Sequence, residues 1–189
     1  MGSLGVFNHV TLDGYFAGPD GEIDWFKAIG KDDEYDAYTH DQSQGGSTLL
    51  FGRTTYEMMK SYWPTPDAVR DEPRMAEVMN ESPKIVFSKT LKSVEEEGSW
   101  KNVALRREIE RDDILALKKQ GDLTILGSGS IVQQLASLGL IDEYQLFIVP
   151  VVLGKGKSLF HDVRETSMTL GSARSFANGV VALIYRPAI

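Results

Sequence analysis

Three short stretches of this chain combine small, hydroxylated and cationic residues in the way that anion binding requires. They are Gly52-Arg53-Thr54-Thr55, Ser88-Lys89-Thr90 and Gly127-Ser128-Gly129-Ser130-Ile131. Each follows a short apolar run, at 48–51, 84–87 and 123–126, that reads as a buried strand. A glycine turn from strand to helix aims backbone N–H groups and the positive end of the helix at one point, which favours a phosphate. Arg53 adds a fixed charge beside such a helix start. The Rossmann dinucleotide fingerprint is not met. Val132 stands where its third glycine belongs, and Phe147 occupies the position about 20 residues on where its acid is wanted. Each stretch alone is compatible with a plain chain reversal or a capped helix. Three anion-friendly strand ends in one small domain point to a ligand with several phosphates. With Arg53 and Lys89 present and no acid placed for a ribose 2′-hydroxyl, NADPH is favoured over NADH.

These stretches need a sheet to position them, and the chain supplies one. Residues 5–12 read as a first strand, with Val6, Val10 and Leu12 on one face. Asp13-Gly14 ends it, and a loop rich in glycine and proline follows, carrying Tyr15 and Phe16 and leading to Trp25-Phe26. The aromatics of this region serve either as a pocket wall for a flat ligand or as core anchors of the loop. Residues 32–46 read as a surface helix and a loop ending in Gly45-Gly46. Thr54 and Glu57 have capping-box spacing for a helix that Pro64 stops, with Met58, Met59 and Tyr62 as its apolar marks. A loop is expected over 64–73, a short helix over 75–80, a strand over 103–105 and an amphipathic helix over 109–120. Ile131, Leu135 and Leu138 share a helix face that Gly139 closes, and a strand follows over 144–153. Asn178-Gly179 between apolar runs predicts a terminal hairpin. The result is an α/β chain, a mostly parallel sheet with an antiparallel ribbon at its edge, in a single domain over 1–189.

Bulk properties narrow the chemistry. With 42% hydrophobic and 25% charged residues, the 189-residue chain has ordinary globular composition. A formal net charge of -7 argues against nucleic acid or an anionic membrane surface as partner. The absence of cysteine removes disulfides, zinc–thiolate sites and cysteine nucleophiles. His9, His40 and His161 share no metal-ligand spacing, so no metal is expected. No apolar run approaches the length of a membrane span and no signal peptide opens the chain, which makes the cytoplasm the expected compartment.

Val10-Thr11-Leu12-Asp13-Gly14-Tyr15, Leu50-Phe51-Gly52-Arg53-Thr54-Thr55-Tyr56 and the block from Gly127 to Phe160 resemble the dihydrofolate-reductase-like superfamily. The closest branch is the reductase domain of the bifunctional riboflavin-biosynthesis deaminase-reductase, in stand-alone form. The resemblance implies a dihydrofolate-reductase-like fold and hydride transfer from NADPH to a small planar heterocycle, pteridine-, pyrimidine- or ribityl-amino-pyrimidine-like. For the riboflavin branch the activity would be 5-amino-6-(5-phosphoribosylamino)uracil reductase activity. It also implies that residues 127–131 hold the diphosphate, that 52–55 contact cofactor phosphates, that Ser88 and Lys89 lie near the 2′-phosphate, and that the chain is a homodimer. Two departures stand out. No acid follows Trp25 within a helical turn, the first being Asp32, which argues against dihydrofolate itself as substrate. The deaminase half, with its zinc ligands, is not expected, since there are no cysteines to make it. Asp13 is the candidate catalytic residue, with Asp-Gly turn chemistry as its other role, and Tyr15, Trp25 and Tyr56 are candidate substrate contacts. A nucleotide-binding protein without turnover, or a flavin-binding protein, are the alternative functions.

Overall fold

A computed structural model of the chain describes residues 1–42 and 46–188. In chain order the strands are β1 (Leu4–Thr11), β2 (Tyr15–Ala17), β3 (Thr48–Gly52), β4 (Lys84–Phe87), β5 (Val103–Arg106), β6 (Leu123–Leu126), β7 (Glu143–Val149), β8 (Lys157–Ser158), β9 (Met168–Ser175) and β10 (Val181–Pro187). The helices are α1 (Asp33–Gln42), α2 (Arg53–Tyr62), α3 (Pro66–Asp71), α4 (Pro73–Glu81), α5 (Arg111–Gln120) and α6 (Gly129–Ser137), with a 3-10 turn over Asp24–Ala28.

Eight strands form one sheet in the order β5-β4-β3-β6-β1-β7-β10-β9. The first six run parallel, and β10 and β9 are antiparallel additions at one edge. Central parallel strands are covered on both faces, so they read as continuous apolar runs. That is why β4 and β6 fall where the sequence places them. On one face α6 packs Ile131, Val132 and Leu135 against Leu4, Val6 and Val10 of β1 and Ile125 of β6. The other face carries two clusters. One gathers Trp25, Tyr35, Phe147 and Phe176, the other Phe51, Tyr56, Met79 and Trp100. Truncating a residue such as Leu135 to alanine in a core of this kind costs about 2–5 kcal/mol.

Several expectations are corrected. Leu12 is exposed, because β1 ends at Thr11 and the Leu12 N–H donates to the Val151 carbonyl. The stretch 64–73 contains α3, capped by the Thr65 hydroxyl, which accepts from the Ala68 N–H at 3.2 Å, with Pro66 at its first position. The capping-box reading of Thr54 fails, since α2 starts two residues earlier than that cap implies, with Gly52 as its N-cap and no side-chain cap bond. β7 stops at Val149, before Pro150, whose missing N–H cannot extend a ladder. Part of the glycine-rich loop pairs with the chain after β7, as β2 joins β8 in a two-stranded ribbon. Gly45 of the expected Gly45-Gly46 loop lies outside the described residues. The hairpin turns at Asn178-Gly179, with Gly179 at φ 85°.

Candidate functional site

A cleft of about 1490 Å³ opens along the carboxyl ends of β1, β3 and β6. Open α/β sheets bind ligands at this edge, where helix N-termini converge and strand order reverses. Two of those helix starts form one wall. The β6–α6 turn places Gly127 at φ +61° and Ser128 at φ 47°, both left-handed. At Gly127 a side chain would be strained and would also press on the Thr55 methyl at 3.2 Å. At Gly129 a Cβ would stand 2.3 Å from the Phe16 ring, so the bare backbone is what lets β2 close over this turn.

The two turns are laced together. The Gly52 N–H donates to Ser128 Oγ at 3.0 Å, and the Ser128 N–H donates to Thr55 Oγ1 at 3.1 Å. The lacing fixes the starts of α2 and α6 side by side, so their first-turn N–H groups, which lack intrahelical partners, face the same cleft. Gly52, Arg53, Thr54, Thr55, Gly127, Ser128, Gly129 and Ser130 all line it. Ile131 is buried behind them and does not. Arg53 donates from Nε to Glu57 at 2.8 Å and from Nη1 to Thr90 Oγ1 at 3.1 Å, which brings the end of β4 to the end of β3. Ser88 and Lys89 stand beside Thr90 at that end of β4. The Ser88 hydroxyl accepts from the N–H groups of Thr90 and Leu91, and exposed Lys89 pairs with Glu108 at 3.2 Å. Neither lines the cleft.

The floor of the cleft is aromatic and partly polar. Phe7, His9, Phe26 and Tyr35 meet there, with His9 stacked on Phe147 at 4.8 Å and its Nε2 hydrogen-bonded to the Tyr35 hydroxyl at 2.5 Å. Burial lowers the His9 pKa to about 4, so the imidazole is neutral at physiological pH. Burial raises the Tyr35 hydroxyl, and the nearby Asp36 carboxylate adds to that shift. Asn8 lines the cleft only 2% exposed, and its Oδ1 has no partner among the described residues. A buried acceptor without a partner is costly in an empty protein and inviting to a ligand N–H. Tyr15 and Phe16 close the cleft from the β2–β8 ribbon. That ribbon is tied to α6 by Gln133, whose Nε2 donates to the Ser158 carbonyl at 3.0 Å.

The remaining sequence candidates lie elsewhere. Asp13 is exposed, and its carboxylate is used by the turn. It accepts from the Thr11 hydroxyl at 2.6 Å and from the N–H groups of Leu153 and Gly154. Those bonds, the Thr11 hydroxyl first, hold its pKa below the usual carboxylate range. It does not line the cleft, so its position is that of a loop clasp. Trp25, 7% exposed, and Tyr56, 3% exposed, are packed in the two aromatic core clusters and do not line the cleft either. Sequence reasoning missed Asn8, Tyr35 and Asp36. Asparagine within the apolar run of β1 was a visible signal for the first. For the others the signal was a helix face, with Tyr35, Asp36, Thr39 and His40 of α1 all along the cleft. Asp32, the first acid after Trp25, caps α1 through the N–H groups of Glu34 and Tyr35. Among the described residues no helix is long and apolar enough to cross a membrane. Among the described residues no group of three or more histidines and carboxylates could hold a metal ion either.

Known proteins share this fold and sequence. A riboflavin-biosynthesis-assigned protein from Shewanella sp. PV-4 superposes with TM-score 0.79 at 23% identity, covering 99% of each chain. Dihydrofolate reductase from Enterococcus faecalis, complexed with NADP(H) and RAB-propyl, superposes with TM-score 0.59 at 15% identity, over 99% of this chain and 97% of its own. The uncharacterized protein YyaP of Bacillus subtilis (strain 168) is 31% identical over 179 residues, which are 93% of this chain and 90% of that protein. The model of the RibD C-terminal domain matches residues 3–182. With its dihydrofolate-reductase-like sheet and that match across nearly its whole length, the chain belongs to the RibD C-terminal domain family.

Proposed function

We propose that the protein is an NADPH-dependent reductase that transfers a hydride to a small planar heterocycle. The observation that carries this reading is the laced pair of helix starts, Gly52–Ser128 and Ser128–Thr55, opening onto one cleft with an aromatic floor. The residues present fit the cofactor. Main-chain groups at 127–130 and 52–55 suit its diphosphate, Arg53 with Thr90 suits a 2′-phosphate, and the unpaired Asn8 Oδ1 suits an amide N–H. Bound NADPH would supply the hydride. The chain's own part is to hold a flat ring against Phe7, Phe26 and Tyr35, to exclude water, and to keep the His9 imidazole neutral as a hydrogen-bonding partner of Tyr35.

Calorimetric titration of the protein and an Arg53→Ala variant with NADPH and NADH tests the reading. Micromolar NADPH binding is expected, at least tenfold weaker for NADH, with the variant erasing that preference. Binding of neither nucleotide would overturn it. A second reading, nucleotide binding without turnover, draws on Asp13 being a turn residue and His9 being held neutral, which leaves no charged proton donor on the cleft floor. NADPH binding with no oxidation across a panel of pteridines and pyrimidines would favour it. We also infer a homodimer from the family and from β9, an edge strand exposed along all eight residues and carrying Met168 and Leu170. A monomeric mass by light scattering would refute the dimer.

A further inference from the structure

The cleft continues well past the helix starts. α2 is ten residues long, so its far end lies roughly 13 Å from Arg53. There the lining changes to Met58, Met59, Tyr62, Trp63, Met75 and Val78. Met58 is 37% and Tyr62 42% exposed, a large solvent contact for such side chains on a helix whose other face joins the core. Tyr62 and Trp63 meet edge to face at 5.0 Å, and the Trp63 indole N–H donates to Met59 Sδ at 3.1 Å. Thioethers and ring faces of this kind accept flat apolar groups of varied shape.

The charged groups at this end are acidic. Asp71 and Glu72 line the cleft at the joint between α3 and α4, and Asp36 lines it from α1. The Tyr62 hydroxyl is raised by burial first and then by the carboxylates of Glu72 and Asp71. Arg70 of α3 and Arg74 of α4 do not line the cleft, and Arg70 is committed to Asp71 and Asp67 at 2.8 Å each. Lys60 of α2 is turned to Glu97 at 3.4 Å. Of the two cations that do line the cleft, Arg53 belongs to the start of α2, and Lys157 to the β2–β8 ribbon tied to α6. A phosphate at the far end would face carboxylates without a partner, which a site selecting phosphate does not do.

We propose that this end of the cleft binds the substrate's substituent and selects one that is apolar or aromatic with no anionic group, so that the substrate is a neutral or cationic heterocycle and a 5-phosphoribosyl substituent is rejected. The proposal rests on the reductase reading for the word substrate. The selectivity itself is a property of the chain and is measurable without nucleotide.

The protein is titrated calorimetrically, with and without NADPH, with 5-amino-6-(5-phosphoribosylamino)uracil, with its dephosphorylated counterpart, and with a 2,4-diamino-5-benzylpyrimidine. The benzylpyrimidine is expected to bind at least tenfold tighter than the phosphorylated compound, and the dephosphorylated compound tighter than the phosphorylated one. Paired Asp71→Lys and Glu72→Lys substitutions should shift the phosphate discrimination about tenfold towards the phosphorylated compound. Glu72→Gln should shift it the same way by less, and serves if the double variant does not fold. Equal or tighter binding of the phosphorylated compound by the unaltered protein would overturn the proposal. So would discrimination indifferent to charge at 71 and 72, or binding of none of the three. Loss of NADPH binding alone would overturn the cofactor assignment and leave the ranking of the three compounds as a separate result.

Discussion

Replacing Ser128 separates two effects that its position combines. Its Oγ is the acceptor for the buried Gly52 N–H at 3.0 Å, and its backbone sits at φ 47°, ψ 59°. Ser128→Ala removes the acceptor and keeps the left-handed backbone, leaving a buried N–H unpaired at about 1–3 kcal/mol. Ser128→Gly loses the same bond but relieves a left-handed strain of about 1–2 kcal/mol, part of which the freer unfolded chain takes back. The alanine variant is therefore expected to lose about 2 kcal/mol and the glycine variant about 1 kcal/mol, by urea denaturation at neutral pH with an unchanged slope. Both should weaken NADPH binding, because both remove one of the two bonds between the start of α2 and the β6–α6 turn and leave only the Ser128 N–H to Thr55. A loss below about 0.5 kcal/mol for alanine would refute the idea that the lacing holds the two turns together. A glycine variant less stable than the alanine variant would refute the strain.

Three further outcomes are expected. Asp13→Asn should lower the melting temperature at pH 7 and leave the turnover number intact, because the carboxylate clasps the Leu153–Gly154 backbone away from the cleft; a selective loss of turnover would contradict this. His9, with a native pKa of about 4 against 6.5, leaves the unfolded chain binding more protons between those values. Its contribution of up to about 3 kcal/mol is therefore complete above pH 6.5 and lost as the pH falls towards 4, and His9→Phe should flatten the denaturation profile in that window. Lys84 is buried with its ammonium donating to the carbonyls of Asn80, Ser82 and Lys101, and burial lowers it to about 8. Because the unfolded chain holds that proton up to about pH 10.5, stability should rise between pH 8 and 10.5, and Lys84→Met should abolish the rise.

Much of this was legible in the sequence, for identifiable reasons. Residues 84–87 and 123–126 are mostly apolar runs between polar turns, broken only by Lys84 and Thr124, and a strand covered on both faces leaves that signature. Asn178-Gly179 fixes a hairpin whatever the strands around it do. The glycines at 127 and 129 marked the β6–α6 turn, since a left-handed backbone at the first and the close approach of Phe16 at the second leave few other residue types usable. Less legible was the direction of a side chain in space, which placed Tyr15 on the cleft and other aromatics in the core. Trp25 and Tyr56 are aromatic in or beside loops, and nothing local distinguishes a wall of the cleft from a wall of the core. Met58 and Tyr62 carry the spacing of a core face, yet α2 turns them to the cleft. Thr65-Pro66 is a cap followed by a first-turn proline, a readable helix start hidden by the shortness of α3.

The strand order also dictates when this protein can come into being. β1 leaves the ribosome before every other strand of this sheet, and neither of its neighbours is near it in sequence: Leu4 pairs with Leu123, and Gly5 with Glu143. At a synthesis rate of roughly 5–20 residues per second, β1 waits many seconds with both of its edges unpaired. Long-range parallel pairing is slow to close even when all the parts are present. The part of the chain before β6 holds β3, β4 and β5 but lacks the strand that joins them to β1, so it has no complete sheet to fold. The cleft at the β1, β3 and β6 edge thus comes into existence as one of the last events of folding, and a chain truncated before β7 should be cleared by proteases without ever binding nucleotide.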